Sequence, residues 1–138
     1  MRASRELGAV AVEFALSIPA LLIIIFAGLH LGRAISARAR VADAAAFACR
    51  SEAIAAATRP NGAVMPDQII KMVNERMKGT SECTTVETTY ETPPASGPYR
   101  YLKVHVKCTL STIMTALVGN LGLTEVAASA AMPIDYEP

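Results

Sequence analysis

The chain has 138 residues, of which 52% are hydrophobic and 18% are charged, and its formal net charge at pH 7 is +1. This composition is too apolar for a disordered tail, and the near-neutral charge provides no strong field for nucleic acid. Tryptophan is absent and aromatic residues are few, which argues against stacking platforms for single-stranded nucleic acid. The length allows one small domain and an anchor.

A long apolar run, AVAVEFALSIPALLIIIFAGLHL, occupies residues 9–31. About 20 apolar residues cross a bilayer as a helix, so the run predicts a membrane-spanning helix. Glu13 is the only formally charged side chain in it. A charge inside such a segment is expensive, and by default it indicates a functional role with a partner. The alternative is an incidental charge close enough to the membrane edge to reach water.

A short polar leader, MRASREL, ends at Gly8, and Glu13 is the fifth residue after that glycine. Cleavage after Gly8 would create a new α-amino group on Ala9, about one helical turn from Glu13. Glu13 of one subunit would then pair with the Ala9 ammonium of a neighbour, neutralising two charges that lipid disfavours singly. An ordinary secretory signal fits less well, because the run is too long and the leader carries Glu6. A plain, uncleaved signal anchor remains the alternative.

The charges flanking the run give conflicting indications of orientation. Arg2, Arg5 and the α-amino group precede it, whereas Arg33, Arg38 and Arg40 follow it. Counting basic residues alone therefore favours a cytoplasmic C-terminal side. The leader and the cysteines favour the opposite orientation, with the N-terminus in the cytoplasm, and we adopt that orientation as the prediction.

The alanine-rich segment after the run predicts that the same helix continues as a stalk. No proline occurs between residues 20 and 59, and Pro60-Asn61-Gly62 is a strong stop signal. We predict one helix over residues 9–58, with a kink at Pro19 that membrane helices tolerate. Its packed stripe is expected at three- and four-residue steps, on Ile35, Val41, Ala42, Ala45, Ala48, Cys49 and Ile54. The charged side chains, Glu52 among them, are expected mostly off this stripe.

The rest of the chain predicts a small α+β head. PDQIIKMVNERMKG has a proline and an aspartate at its start and Gly79 at its end, the pattern of an amphipathic helix. Strands are expected over residues 83–90, from residue 101 to 110 and over 124–134, and a short helix over 111–118. In the second strand the residues from Leu102 to Leu110 alternate apolar and polar, which indicates one buried face. The predicted fold class is therefore α+β, with a long N-terminal transmembrane and stalk helix and an antiparallel-sheet head.

Three cysteines are present, at Cys49, Cys83 and Cys108. Outside the cytoplasm Cys83 and Cys108 could form a disulfide that closes a loop of roughly 25 residues, worth about 3 kcal/mol. The alternative is that all three are small buried hydrophobic residues. No C-x-x-C pair occurs, and the two histidines lie far apart, so the sequence predicts no metal site.

No catalytic motif is recognisable: the chain lacks G-x-S-x-G, a P-loop, H-E-x-x-H and a dinucleotide fingerprint. We therefore predict no enzyme activity, no catalytic residue and no cofactor. An enzyme subunit with a site around Tyr101, Lys103 and His105 is the weakest alternative, because alternation places these residues on a solvated strand face.

The N-terminal residues resemble those of a type IV prepilin, with a short basic leader, Gly8 at the cut, apolar residues at 9–12 and then Glu13. More narrowly, the segment is similar to the TadE-like minor pseudopilins of the tight-adherence (Flp, type IVc) pilus system. The family core G-x-x-x-VEFAL-x-x-P-x-L-L and its G-R-A exit are matched by Gly8, residues 12–16, Pro19, residues 21–22 and residues 32–34. Residues 29–31 depart from the acidic or aromatic residues usual before the exit.

The resemblance implies a division into a leader (1–8), a transmembrane assembly helix (9–32), a stalk (33–60) and an extracytoplasmic head (61–138). It implies cleavage between Gly8 and Ala9 by a membrane prepilin peptidase, and roles in assembly for Glu13, Phe14 and Pro19. The implied partners are other pilin subunits, the Tad inner-membrane assembly platform and membrane lipid, with no nucleic acid. The implied location is the bacterial inner membrane with a periplasmic head, and then the pilus, where the protein would serve adhesion.

Overall fold

The computed structural model describes residues 2–59, 62–92, 100–110 and 125–134, with side chains from residue 12 onward. The elements in chain order are α1 (Arg2–Ala57), α2 (Pro66–Met77), β1 (Cys83–Glu91), β2 (Tyr101–Leu110) and β3 (Glu125–Pro133). The predicted α+β class is confirmed. The short helix predicted over residues 111–118 lies outside the described residues.

Two compact units divide the chain, residues 1–33 and residues 34–138. The first unit is the N-terminal part of α1, which contains one stretch long and apolar enough to cross a membrane, and none of that stretch is buried within the protein. The helix passes through Pro19 without interruption. The long helix predicted from residue 9 onward is thus present, and its backbone begins earlier, at Arg2.

The second unit contains a three-stranded antiparallel meander with β2 in the centre. The residues of β2 alternate strictly, with Leu102, Val104, Val106, Cys108 and Leu110 buried. This confirms the buried face predicted from the alternation. The facing residues of α2 are Ile69, Val73 and Met77, which are also buried and belong to the same core.

Helix α2 begins and ends as its sequence predicts. Pro66 lies in the first turn, where a backbone N–H has no partner within the helix, so the missing N–H of proline costs nothing. Asp67 lies near the positive end of the helix dipole. Gly79 follows the helix with φ of +85°, in the left-handed region that favours glycine.

The stalk part of α1 packs against the sheet with a face made mostly of alanine. The Cys49 thiol donates a hydrogen bond to the Leu102 carbonyl at 3.2 Å, which fixes the contact between α1 and β2. The buried residues of this face are Ala34, Ala37, Val41, Ala44, Ala45, Ala48, Cys49, Ala53 and Ala56.

For three residues of the predicted stripe, the prediction that they are packed is wrong. Ile35 and Ile54 remain 62% and 61% exposed, and Ala42 is exposed as well. The buried face is rotated from the predicted one, because the interface selects small side chains and the larger isoleucines lie outside it. Glu52, which was expected off the stripe, is fully buried.

Glu52 lies in the core, where its carboxylate links the end of α1 to the start of α2 through hydrogen bonds. Its Oε1 accepts hydrogen bonds from Arg59 Nη1 at 2.5 Å and from the backbone N–H of Met65 at 2.7 Å. Arg59 also donates to the Ala63 carbonyl and to the Gln68 side chain. The buried carboxylate is therefore paired and hydrogen-bonded, as a charge removed from water must be. We refer to Glu52 and Arg59 as the helix clamp.

Cys83 and Cys108 are joined by a disulfide bond, with their Cα atoms 5.7 Å apart. This is one of the two arrangements left open by the sequence. The bond links the start of β1 to the end of β2, beside the irregular register between Cys83 and Thr85. Cys49 is a free and fully buried thiol.

The cysteine arrangement predicts a definite alkylation pattern. In the folded protein Cys49 is inaccessible, so we expect no label with a maleimide reagent. Unfolding without reductant should add one label, and unfolding with reductant should add three, because only reduction frees Cys83 and Cys108. Intact-mass measurement counts the labels. Three labels without reductant would show that the protein carries no disulfide.

Candidate assembly helix

The apolar side chains of the first unit are exposed all around the helix. Phe14, Leu16 and Ile24 are 68%, 72% and 68% exposed, and their neighbours up to Leu31 are similar. Exposed apolar surface on this scale is unfavourable in water. Such a helix is compatible with a membrane anchor.

Glu13 lies on this exposed apolar helix. Among the residues whose side chains the structure describes, none provides a cation within 4.0 Å of its carboxylate. The Glu13 backbone carbonyl accepts a hydrogen bond from the Ser17 hydroxyl at 2.8 Å, so Ser17 satisfies its own hydroxyl within the helix. The geometry leaves the carboxylate free to meet a partner from outside the described side chains.

The other predicted assembly residues also lie along this helix. Phe14 is exposed directly after Glu13, and Pro19 occurs within the helix. The backbone of Gly8 and Ala9 is helical, but their side chains lie outside the described part. The predicted cleavage between them stays a prediction.

Gly28 and Gly32 lie four residues apart near the end of the apolar stretch. A Cβ added at either position would meet no described atom within 4 Å. Neither glycine is therefore needed for packing inside the described chain. Small residues with this spacing permit close approach of a second membrane helix.

The polar face of β2, which carried the alternative enzyme site, is a partly exposed row of polar and charged side chains. Lys103 Nζ and His105 Nε2 each lie 3.7 Å from the Glu91 carboxylate, and Tyr101 is 45% exposed on the same face. Lys107 lies 2.8 Å from Glu125, whose hydrogen bond and negative charge raise the pKa of Lys107. Exposed pairs of this kind contribute little to stability.

The described parts of the chain contain no cluster of three or more His, Cys, Asp or Glu side chains arranged to hold a metal ion. A shallow depression lies on the outer face of α2, between Asp67, Ile70, Lys71 and Asn74. It is open and its lining lies on one helix, so it brings no set of reactive groups together.

Taken together, the first unit is compatible with a membrane anchor, and the second is a small α+β domain stabilised by a disulfide. Over the residues that the structure describes, the architecture is thus an N-terminal apolar helix and a small α+β unit. Residues 8–50 match the family model described as TadE-like protein. This finding confirms the TadE-like resemblance and suggests a role in the Tad pilus system.

The family match extends beyond the residues that carried the resemblance. It covers 43 of 138 residues and ends at Arg50, so it includes the apolar helix and most of the alanine-rich stalk. Searches of curated proteins and of solved structures found no match. None of these comparisons describes residues 51–138, so the function of the head is inferred from its own residues.

Proposed function

We propose that the protein is a minor pseudopilin that helps to initiate or assemble a Tad-type pilus for adhesion, and that it acts by packing against other subunits and not as an enzyme. The observation that carries the proposal is Glu13, a lone carboxylate on an exposed apolar helix within a TadE-like segment. Its position near the N-terminus suits a contact between subunits within the membrane.

The proposed mechanism begins with removal of residues 1–8 by a prepilin peptidase. The new α-ammonium of Ala9 on one subunit then pairs with the Glu13 carboxylate of its neighbour. Each charge alone is costly in lipid, and pairing offsets part of that cost for both. The pair also fixes the axial position of one helix relative to the next, because other register positions leave both charges unpaired.

The exposed apolar surface supports this mechanism by favouring insertion and helix contact, but it does not select one helix register over another. Exposed side chains such as Leu16 and Ile24 can contact either lipid or a neighbouring helix, and association in a bilayer depends on close packing. Gly28 and Gly32 offer an open surface for such packing. The hydrophobic residues thus hold the subunit in the membrane, while Glu13 selects the register.

The proposal places the anchor in the bacterial inner membrane and the head in the periplasm. The disulfide between Cys83 and Cys108 supports this orientation, because disulfides persist in oxidising compartments. The proposed partners are the peptidase, other pilin subunits and the Tad assembly platform.

N-terminal sequencing of the protein extracted from membranes tests the processing step. We expect the mature chain to begin at Ala9. A Gly8→Leu variant should retain Met1, because a bulky side chain replaces the small residue at the scissile bond, whereas Ala3→Leu should be processed normally. A native product that begins at Met1 would favour the alternative of an uncleaved, membrane-anchored binding domain.

A further inference from the structure

Ser17 is the one polar side chain that shares the N-terminal half of the apolar run, residues 9–20, with Glu13. Its side chain is exposed, and its hydroxyl donates to the Glu13 backbone carbonyl at 2.8 Å. A serine hydroxyl has one proton and two lone pairs. Because the proton is already used within the helix, the Ser17 oxygen acts as an acceptor toward any group outside it.

Glu13 and Ser17 lie on the same face of α1. They are four residues apart, and residues with this spacing are neighbours on a helix surface. Both side chains are exposed, and the apolar stretch that contains them is not buried within the protein. An ionised carboxylate is, like the Ser17 oxygen, an acceptor without a donor. We refer to this pair of acceptors, Glu13 and Ser17, as the acceptor face.

Removal of residues 1–8 would create more donors than one carboxylate can bind. The backbone of α1 is helical from Arg2, so in the uncut chain the amide N–H groups of residues 10–12 have helical acceptors in the carbonyls of residues 6–8. Cleavage removes these carbonyls and adds an α-ammonium, which leaves three amide and three ammonium N–H groups. A carboxylate offers about four lone-pair sites. Because unsatisfied donors are costly in lipid, the cut end requires an acceptor besides Glu13.

The pairing of Ala9 with Glu13 brings this cut end to the height of Ser17. When the neighbour's Ala9 is level with Glu13, its residues 10–13 are level with residues 14–17 of the first chain, because parallel helices rise equally per residue. Helical side chains lean toward the N-terminus, so the Ser17 oxygen lies level with the neighbour's first turn. The two helices run in the same direction, as chains anchored in one membrane must.

We propose that Ser17 is a second acceptor for the cut N-terminus of a neighbouring subunit, so that the acceptor face binds this end with both of its side chains. The inference rests on the proposed function, because the cut N-terminus is its ligand. Glu13 supplies the negative charge that the ammonium requires, but its long side chain can meet a cation from several directions. The short Ser17 side chain is fixed by its bond to the helix, so it selects the face of α1 against which the neighbour lies.

The opposite face of α1 has no side chain that could take this role. Successive residues of a helix are rotated by about 100°, so Ala15 lies about 200° from Glu13, across the helix. Apart from Glu13 and Ser17, every side chain between Val12 and Pro19 is apolar. Side-chain acceptors in this turn and a half of helix are therefore confined to the acceptor face.

Ser17→Ala tests the second acceptor in the full-length protein. Alanine removes the oxygen and is the better helix former, so a weakened helix cannot explain a defect. We expect unchanged membrane levels and a mature chain that still begins at Ala9. The ratio of protein in sheared pili to protein in membranes should fall about tenfold, since one hydrogen bond to a charged donor is lost while the charge pair remains. Ser17→Thr keeps the hydroxyl and its bond to the helix and should retain the wild-type ratio.

Moving the hydroxyl across the helix provides the matched control. The double variant Ser17→Ala, Ala15→Ser has the same composition at nearly the same depth, and it should be as defective as Ser17→Ala. A wild-type ratio for Ser17→Ala would overturn the role of Ser17, and so would an equal defect in Ser17→Thr or rescue by the double variant. Any of these results leaves the proposed function standing while Glu13→Ala is lost from pili. Normal incorporation of Glu13→Ala would instead remove the proposed function.

Discussion

Replacing Glu13 with alanine is expected to abolish incorporation of the protein into the pilus while leaving its membrane insertion unchanged. Insertion depends on the apolar stretch, which the substitution makes more apolar. Assembly depends on pairing the Glu13 carboxylate with the Ala9 ammonium of a neighbour. Removing one member of a buried pair leaves the other charge unpaired, at a cost of about 3–5 kcal/mol. That cost corresponds to at least about a hundredfold weaker association.

Glu13→Gln separates charge from shape. Glutamine keeps the size of the side chain and can still accept a hydrogen bond, but it has no charge to match the ammonium. We expect a defect nearly as large as that of Glu13→Ala. Glu75→Gln removes an exposed carboxylate from α2 in the head and should leave assembly normal.

The measurement compares the amount of each variant in isolated membranes with the amount in sheared pili, together with a count of pili per cell. The expected result is equal membrane levels and loss of the protein from pili for both Glu13 variants. Normal piliation by both would remove the charge-pairing mechanism. Reduced membrane levels would instead assign Glu13 a role in insertion.

The elements of the head could be predicted from the sequence wherever one physical signal dominated. In β2 a half-buried strand requires alternation, and the residues from Leu102 to Leu110 alternate without exception. In α2 the proline at the start and Gly79 after the end mark both boundaries. These are local signals, so they can be recognised without knowledge of the partner element.

The packed face of the stalk could not be predicted in the same way. Alanine contributes almost equally to every face of α1, so hydrophobic periodicity gave the two isoleucines, Ile35 and Ile54, too much weight. The position of the face depends on which side of α1 packs against β2, and that packing is a tertiary property. The register of the helix is visible only in contacts such as that between Cys49 and Leu102.

The functional and buried polar residues likewise divide into those with a local sequence signal and those that depend on tertiary contacts. The segment around Glu13 was recognisable by its resemblance to TadE-like proteins, and the family match confirms that resemblance. The burial of Glu52 was missed because its partners, Arg59 and the Met65 N–H, come together only after the chain turns between α1 and α2. A glutamate in a helix with an arginine seven residues later is too common a pattern to predict a clamp.

Glu52→Ala is expected to destabilise the head strongly, although Glu52 is a polar residue within its core. It removes the acceptor for Arg59 and for the Met65 N–H together, and both donors lie in a partly buried region. Arg59 keeps its bonds to Ala63 and Gln68, so the expected loss lies toward the lower end of the range for breaking a buried pair, about 3 kcal/mol. Glu52→Gln should cost less, because its amide oxygen still accepts from Met65.

Asp43→Ala is the matched control on the same helix. Asp43 also pairs with an arginine, Arg76, but at 3.8 Å and with both side chains about half exposed or more. An exposed pair contributes less than about 1 kcal/mol. The comparison therefore separates a buried, hydrogen-bonded carboxylate from an exposed ion pair, while helix propensity is matched because both substitutions replace an acidic residue of α1 with the best helix former.

The rate of Cys49 alkylation under native conditions measures both variants in the full-length protein. The buried thiol reacts only when the core opens, so the rate follows the free energy of opening when reclosing is fast. A loss of about 3 kcal/mol should raise the rate roughly a hundredfold, whereas Asp43→Ala should raise it at most about fivefold. Equal rates for the two variants would show that the helix clamp does not hold α1 and α2 together.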